Sequence, residues 1–197
     1  MWTAATLAQE AVHRGAIQKP TELELLIKKL SERKLKNVLE IGTGVGGMAF
    51  VLCHVAEPDA AITTVGIQKS KTGDTYGPRL ERCINSYASK DQRLNLLKGD
   101  SHVPLVRKKV SETVGDDLDL LFIDGDHSLS GISSDFLDYT PLVRSDGLIV
   151  IHDTMRNPLN PACEVHRFWD DHKADFQFAQ IEDAAAGKWG GYGIIEA

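Results

Sequence analysis

Two short runs concentrate acids and imidazoles. FIDGDHS at 122–128 carries Asp124, Asp126 and His127, and IHDT at 151–154 carries His152 and Asp153. Each follows or closes an apolar stretch, 118–123 and 148–151, of the length and composition of a strand buried on both faces. In an open α/β sheet, ligands collect beyond the carboxyl ends of the strands. The two runs therefore bring carboxylates and imidazoles to one crevice. Such a set suits a hard divalent cation, Mg2+ first, with Mn2+ or Fe2+ as alternatives because a histidine is among the donors. Asp124 and Asp153 are the candidate ligands; as plain caps of the segments that follow they would need no ion. His152 reads equally as a satisfied core histidine or as a third ligand. His127, whose ordinary pKa lies near neutrality, suits a proton acceptor. Neither run contains Lys or Arg, so without a cation the two acids are expected to repel until one takes up a proton.

A third run, VLEIGTGVGG at 38–47, invites a cofactor. Glycines at a strand-to-helix turn let a ligand approach the backbone, and the helix start offers free N–H donors. The spacing of Gly42, Gly44 and Gly47 also satisfies the dinucleotide pattern, so the glycines alone do not choose the cofactor. A nucleotide site of this kind places an acid at the end of the second strand for the ribose hydroxyls. Here that position falls on Gln68, which accepts one hydrogen bond without a carboxylate's charged, bidentate geometry.

The elements that must position these runs are readable from periodicity. Short apolar segments at 38–41, 62–67, 94–97, 118–123 and 148–151 alternate with helical stretches at 47–56, 78–88, 103–114 and 130–142. That alternation gives right-handed βαβ units and an open, mostly parallel sheet. Segments 176–181 and 192–196 flank KWGGYG and complete seven strands as a C-terminal antiparallel hairpin. Thr21 with Glu24 predicts a capping box opening a helix over 22–33, within an N-terminal helical arm of residues 1–35. His166 and His172, six apart on a helix predicted over 163–173, do not share a face and read as structural.

With no repeat or linker, residues 1–197 read as one domain. The chain has 22 Lys and Arg against 28 Asp and Glu, a net charge of −6, which argues against nucleic-acid binding. No run approaches the ~20 apolar residues of a membrane span. Cys53, Cys83 and Cys163 are scattered and odd in number, which suggests neither disulfides nor a thiolate zinc site and fits a reducing cytoplasm.

LEIGTGVGG, GDS at 99–101, FIDGDHS, the run DFLDYTPLVRSDGLIVIHDT, the FW at 168–169 and the WGGYG at 189–193 together resemble class I S-adenosylmethionine-dependent O-methyltransferases, in particular the metal-dependent macrolide-sugar and cephalosporin hydroxylase-like group. The resemblance covers nearly the whole chain. It implies a Rossmann-like, doubly wound sheet that binds S-adenosyl-L-methionine through Glu40, Gly42, Thr43, Gly44, Gly46 and Asp124, with Gln68 at the ribose and Asp100 and Ser101 beside the adenine. It further implies Asp124, Asp153 and the departing His152 as metal ligands, and His127 as the base that deprotonates a hydroxyl. The acceptor would be a small molecule, a sugar, polyphenol or other natural product, met by the N-terminal arm and the loop 154–161. A homodimer is the expected assembly. A nicotinamide-dependent oxidoreductase and a non-catalytic binding protein of the same fold remain as alternatives.

Overall fold

Val-, Ile- and Leu-rich strands, each followed by a helix, build the centre of the molecule. The computed structural model describes residues 2–67 and 77–197. Helices α1 (Ala4–His13) and α2 (Pro20–Leu30) precede β1 (Asn37–Ile41), α3 (Gly47–Val55), β2 (Ala61–Gly66), α4 (Pro78–Asn85) and β3 (Arg93–Lys98). Then come α5 (Pro104–Val114), β4 (Leu118–Ile123), α6 (Leu129–Tyr139), β5 (Val143–His152), α7 (Val165–His172), β6 (Phe178–Ile181) and β7 (Tyr192–Glu196).

The seven strands lie in the order β3-β2-β1-β4-β5-β7-β6. The first five run parallel, and β7 is antiparallel to both of its neighbours. Residues alternate between faces as the pleat requires. Leu120 and Phe122 pack with α1, α2 and α3, whereas Leu121 and Ile123 pack with α5, α6 and α7. The expected seven-stranded sheet with its C-terminal hairpin is what forms.

Three details differ from the sequence expectation. β5 begins at Val143 rather than 148, through a register irregularity against β4 between Leu118 and Leu120. The helix after β4 gives way to a 3-10 turn at Thr140–Leu142, where Pro141 removes a backbone donor. Thr21 is no helix cap. Pro20 takes the first helical position and Lys19 caps, while the Thr21 hydroxyl donates to Asp183 Oδ2 at 2.7 Å.

That last contact belongs to a clamp between the N-terminal arm and the segment before β7. Lys19 and Glu22, 2% and 0% exposed, pair at 2.9 Å. Lys19 Nζ donates to the carbonyls of Asp183 and Gly187, both at 2.8 Å. Glu22 accepts from the backbone N–H groups of Asp183 (2.7 Å) and Gly191 (2.9 Å). Each buried charge thus has a partner and additional hydrogen bonds, the condition under which a buried pair is tolerated. Among the described residues, no helix is long and apolar enough to cross a membrane.

Candidate active site

β1 and β4 are adjacent but their following helices cross to opposite faces, so the switch point of the sheet lies between their carboxyl ends. Gly42 leaves β1 with φ +102°, and a Cβ there would sit 1.9 Å from the Asp124 carbonyl oxygen. Glycine is what lets the two strand ends approach this closely. The approach places Asp124 beside the glycine loop. Gly44, at φ +50°, differs: a Cβ there meets nothing within 4 Å among the described residues. This turn therefore has room for a ligand.

Glu40 is fully buried on β1, and neither carboxylate oxygen has a hydrogen-bond partner of good geometry among the described residues. Burial pushes its carboxyl up to about 8, with the Thr64 hydroxyl pulling the other way and Asp124 adding to the rise. An orphaned buried acid is costly and calls for an explanation. A cationic ligand group nearby would supply one. Thr43 is buried and pairs its hydroxyl with that of Thr64.

The sign of the Glu40 shift gives a test. A raised carboxyl contributes stability that is fully present below the ordinary value of 4.5 and is lost as pH climbs to about 8. Glu40→Gln removes that liability. Its stability relative to the parent should climb between about pH 5 and about pH 8, by up to roughly 1.4 kcal/mol per pH unit. Urea unfolding at the two pH values checks this, and parallel curves would show that Glu40 is ionised or well partnered.

The acids and histidines of β4 and β5 converge. Register pairs Ile123 with Ile41 and Ile151, which brings the residues beyond them to one level. Asp124 Oδ1 lies 3.1 Å from both His127 Nε2 and His152 Nδ1. Asp153 Oδ2 lies 3.2 Å from His127 Nδ1, and Asp153 Oδ1 lies 3.8 Å from His152 Nδ1. Asp153 has φ +63°, the single positive-φ residue other than glycine among those described. Such backbone costs of order 1 kcal/mol and concentrates at functional sites.

The expected repulsion between Asp124 and Asp153 is met differently. The two imidazoles stand between the carboxylates. Burial disfavours the charge on Asp124, but His152 and His127 outweigh it and hold the carboxyl well below its usual range. His127 is pushed up to about 11, chiefly by its hydrogen bond to Asp124, then by Cys163, against the cost of burial. Burial opposes charge on His152, yet Asp124 raises it as well. The two rings thus favour the charged form of Asp124, and Asp124 in turn favours theirs.

Two contacts were not legible in the sequence. Gln18, buried in the arm after α1, donates from Nε2 to Asp124 Oδ2 at 2.8 Å. Cys163, 1% exposed, places Sγ 3.7 Å from Asp153 Oδ2. Of the loop expected to meet an acceptor, Thr154 is buried at the site and Leu159 is almost fully exposed.

Asp100 and Ser101 sit on the turn after β3. Asp100 Oδ1 accepts from the His102 backbone N–H at 2.9 Å, and the Ser101 carbonyl accepts from the Tyr139 hydroxyl at 2.7 Å. Asp135, fully buried on α6, stands 3.1 Å from His102 Nε2, and burial pushes its carboxyl up to about 6. Gln68 lies outside the described residues. His166 and His172 stay on α7 apart from the Asp124 and Asp153 groups, with His172 stacked on Phe168.

The family profile of the methyltransferase domain matches residues 39–154, more than half of the chain, from β1 through the residues just after β5. The chain belongs to this methyltransferase family. The nicotinamide alternative is thereby set aside. The methyltransferase is similar in fold to the O-methyltransferase TomG from Streptomyces achromogenes, in complex with SAM, at TM-score 0.70 and 16% identity over 100% of this chain and 90% of that one. An O-methyltransferase from Bacillus cereus in complex with SAH is similar at TM-score 0.70 and 16% identity, over 99% and 90%. MycE, a methyltransferase of the mycinamycin biosynthetic pathway in complex with Mg and SAH, aligns at TM-score 0.59 and 15% identity, over 99% of this chain and 54% of that one. No curated protein matches the chain.

Proposed function

We propose that this methyltransferase moves the methyl group of S-adenosylmethionine to a hydroxyl oxygen of a small molecule, with a divalent cation assisting. The observation that carries the reading is the convergence of Asp124, His127, His152 and Asp153 next to the open turn at Gly44. The similar solved O-methyltransferases with bound SAM or SAH support the cofactor, and MycE, with its Mg, supports the ion.

The residues present fit both groups. Glu40, Gly42, Thr43, Gly44 and Gly46 would hold the cofactor's polar end, and the turn at Asp100 and Ser101 would border its adenine, with Gln68 at the ribose. The cofactor supplies a methyl group already activated by its sulfonium. For the cation, Asp124, His152 and Asp153 present ligand atoms all within 4.8 Å of one another. Adjacent ligands of an octahedral Mg2+ site are about 3 Å apart, close to the 3.1 Å between Asp124 Oδ1 and His152 Nδ1. A divalent cation there would supply positive charge beside an anionic acceptor oxygen. His127 takes the proton. Nδ1 faces Asp153 Oδ2 and Nε2 faces Asp124 Oδ1, so a cation drawing on Asp124 would free Nε2 to accept. Gln18 fixes Asp124 from its other oxygen and closes the site on the arm side. A vicinal diol or catechol is the preferred acceptor, because two adjacent oxygens can share one cation.

Gly44 tests the cofactor half. Gly44→Val places a branched side chain in the open space and should reduce SAM affinity beyond detection by calorimetry while the far-ultraviolet circular dichroism stays close to the parent's. Parental affinity in Gly44→Val, or parental heats with NAD in place of SAM, would move the cofactor elsewhere.

A further inference from the structure

Asp153 faces two different sets of donors. Oδ1 looks toward His152, whereas Oδ2 looks toward His127 Nδ1 at 3.2 Å and Cys163 Sγ at 3.7 Å. The ligand atoms of His127, Asp153 and Cys163 all lie within 4.8 Å of one another. In a tetrahedral zinc site, bonds of about 2.0–2.1 Å to N and O and about 2.3 Å to S separate neighbouring N and O by about 3.3 Å, and S and O by about 3.6 Å. The two observed spacings match both values, with the thiol at the longer one. Cys163 is 1% exposed, so its sulfur is held by the fold and not by a mobile surface loop. The His127 side chain is 34% exposed, which leaves a water room to complete four ligands.

We infer that His127, Asp153 and Cys163 form a second, thiol-containing metal site that takes Zn2+ or a similarly soft divalent ion. It shares Asp153 with the Asp124–His152 set, so the two sites compete. Binding exchanges the Nδ1 proton of His127 and the Sγ proton of Cys163 for the metal, and both protons go to solvent. Zinc on Nδ1 leaves the remaining ring proton on Nε2, facing Asp124 Oδ1, so the imidazole has no nitrogen left to accept. Occupation of the soft site therefore silences methyl transfer. The silencing rests on the proposed role of His127; the binding does not.

Cobalt(II), a spectroscopic stand-in for zinc, tests the site in the intact metal-free protein. The expected result is a near-ultraviolet thiolate-to-cobalt charge-transfer band that saturates at about one equivalent and is displaced by Zn2+. The band should vanish in Cys163→Ser and Cys163→Ala, fall sharply in His127→Gln, and persist in Asp124→Asn. In turnover supplied with Mg2+, equimolar Zn2+ should inhibit the parent at least tenfold and inhibit Cys163→Ser far less. Cobalt bound without a thiolate band, a band that survives both Cys163 substitutions, or no cobalt uptake overturns the site. The band with undiminished turnover in zinc would leave the site standing and remove His127 as the base.

Discussion

His127→Ala is expected to lower methyl-transfer turnover by roughly 10²–10⁴-fold, the usual contribution of a positioned base, while SAM affinity stays near the parent's. The geometry adds a condition. Between Asp124 and Asp153, His127 is pushed up to about 11, so in cation-free protein it already carries its proton throughout the neutral range. A protonated imidazole accepts nothing. Positive charge on the two carboxylates reverses this, because the interactions that raise the imidazole are then spent elsewhere. An imidazole NMR titration should show His127 charged to well above pH 8 without metal and titrating markedly lower with saturating Mg2+. Activity in Mg2+ should climb with pH through that lowered value, and high pH should partly rescue His127→Ala by ionising the acceptor. Parental turnover in His127→Ala at neutral pH would end its role.

The cation itself gives the other large effect. Mg2+ or Mn2+ should stabilise the folded protein with the logarithmic dependence of mass action, about 2.7 kcal/mol at about a hundredfold excess over Kd. Asp124→Asn and Asp153→Asn should each abolish most of that shift. Simple repulsion between unpaired acids would have made the metal-free Asn variants more stable. The structure reverses that expectation for Asp124, which is held well below its usual range by His152 and His127 and accepts from Gln18. A lowered carboxyl contributes stability above its ordinary value and loses it as pH falls toward the folded one. Metal-free Asp124→Asn should therefore melt below the parent near neutral pH, and the gap should narrow as acid protonates Asp124. Melts indifferent to both metals, with turnover unchanged in EDTA, would leave an Asp–His site that works without metal.

The strands and the glycine loop were legible because their signals are local. Parallel strands buried on both faces must be short apolar runs, and Gly42 and Gly44 advertise a turn of positive φ. The switch-point rule then brought Asp124 and Asp153 together without coordinates. Gln18 was not legible: a lone polar residue between helices has no pattern until the arm folds over β4. Cys163 was passed over because thiol arithmetic looks for pairs, whereas its partners here are an imidazole and a carboxylate. The Thr21 cap failed because Pro20, fixed at φ suited to a first helical turn, displaced the start by a residue or two. The pairing of the two acids with histidine was written in the same motifs, but ring orientation decides it, and orientation is a property of packing.

The clamp joining Lys19 and Glu22 to Asp183, Gly187 and Gly191 also sets an order in time. Its two halves are separated by more than 160 residues, so during synthesis Lys19 and Glu22 emerge long before their backbone partners. A nascent chain that has just passed residue 154 already possesses Asp124, His127, His152 and Asp153. It still lacks β7, which covers His152 with Tyr192, and the loop that fastens the arm carrying Gln18. Ligand affinity should consequently arrive late and abruptly, once residues 183–196 are free to fold against the arm, rather than growing strand by strand.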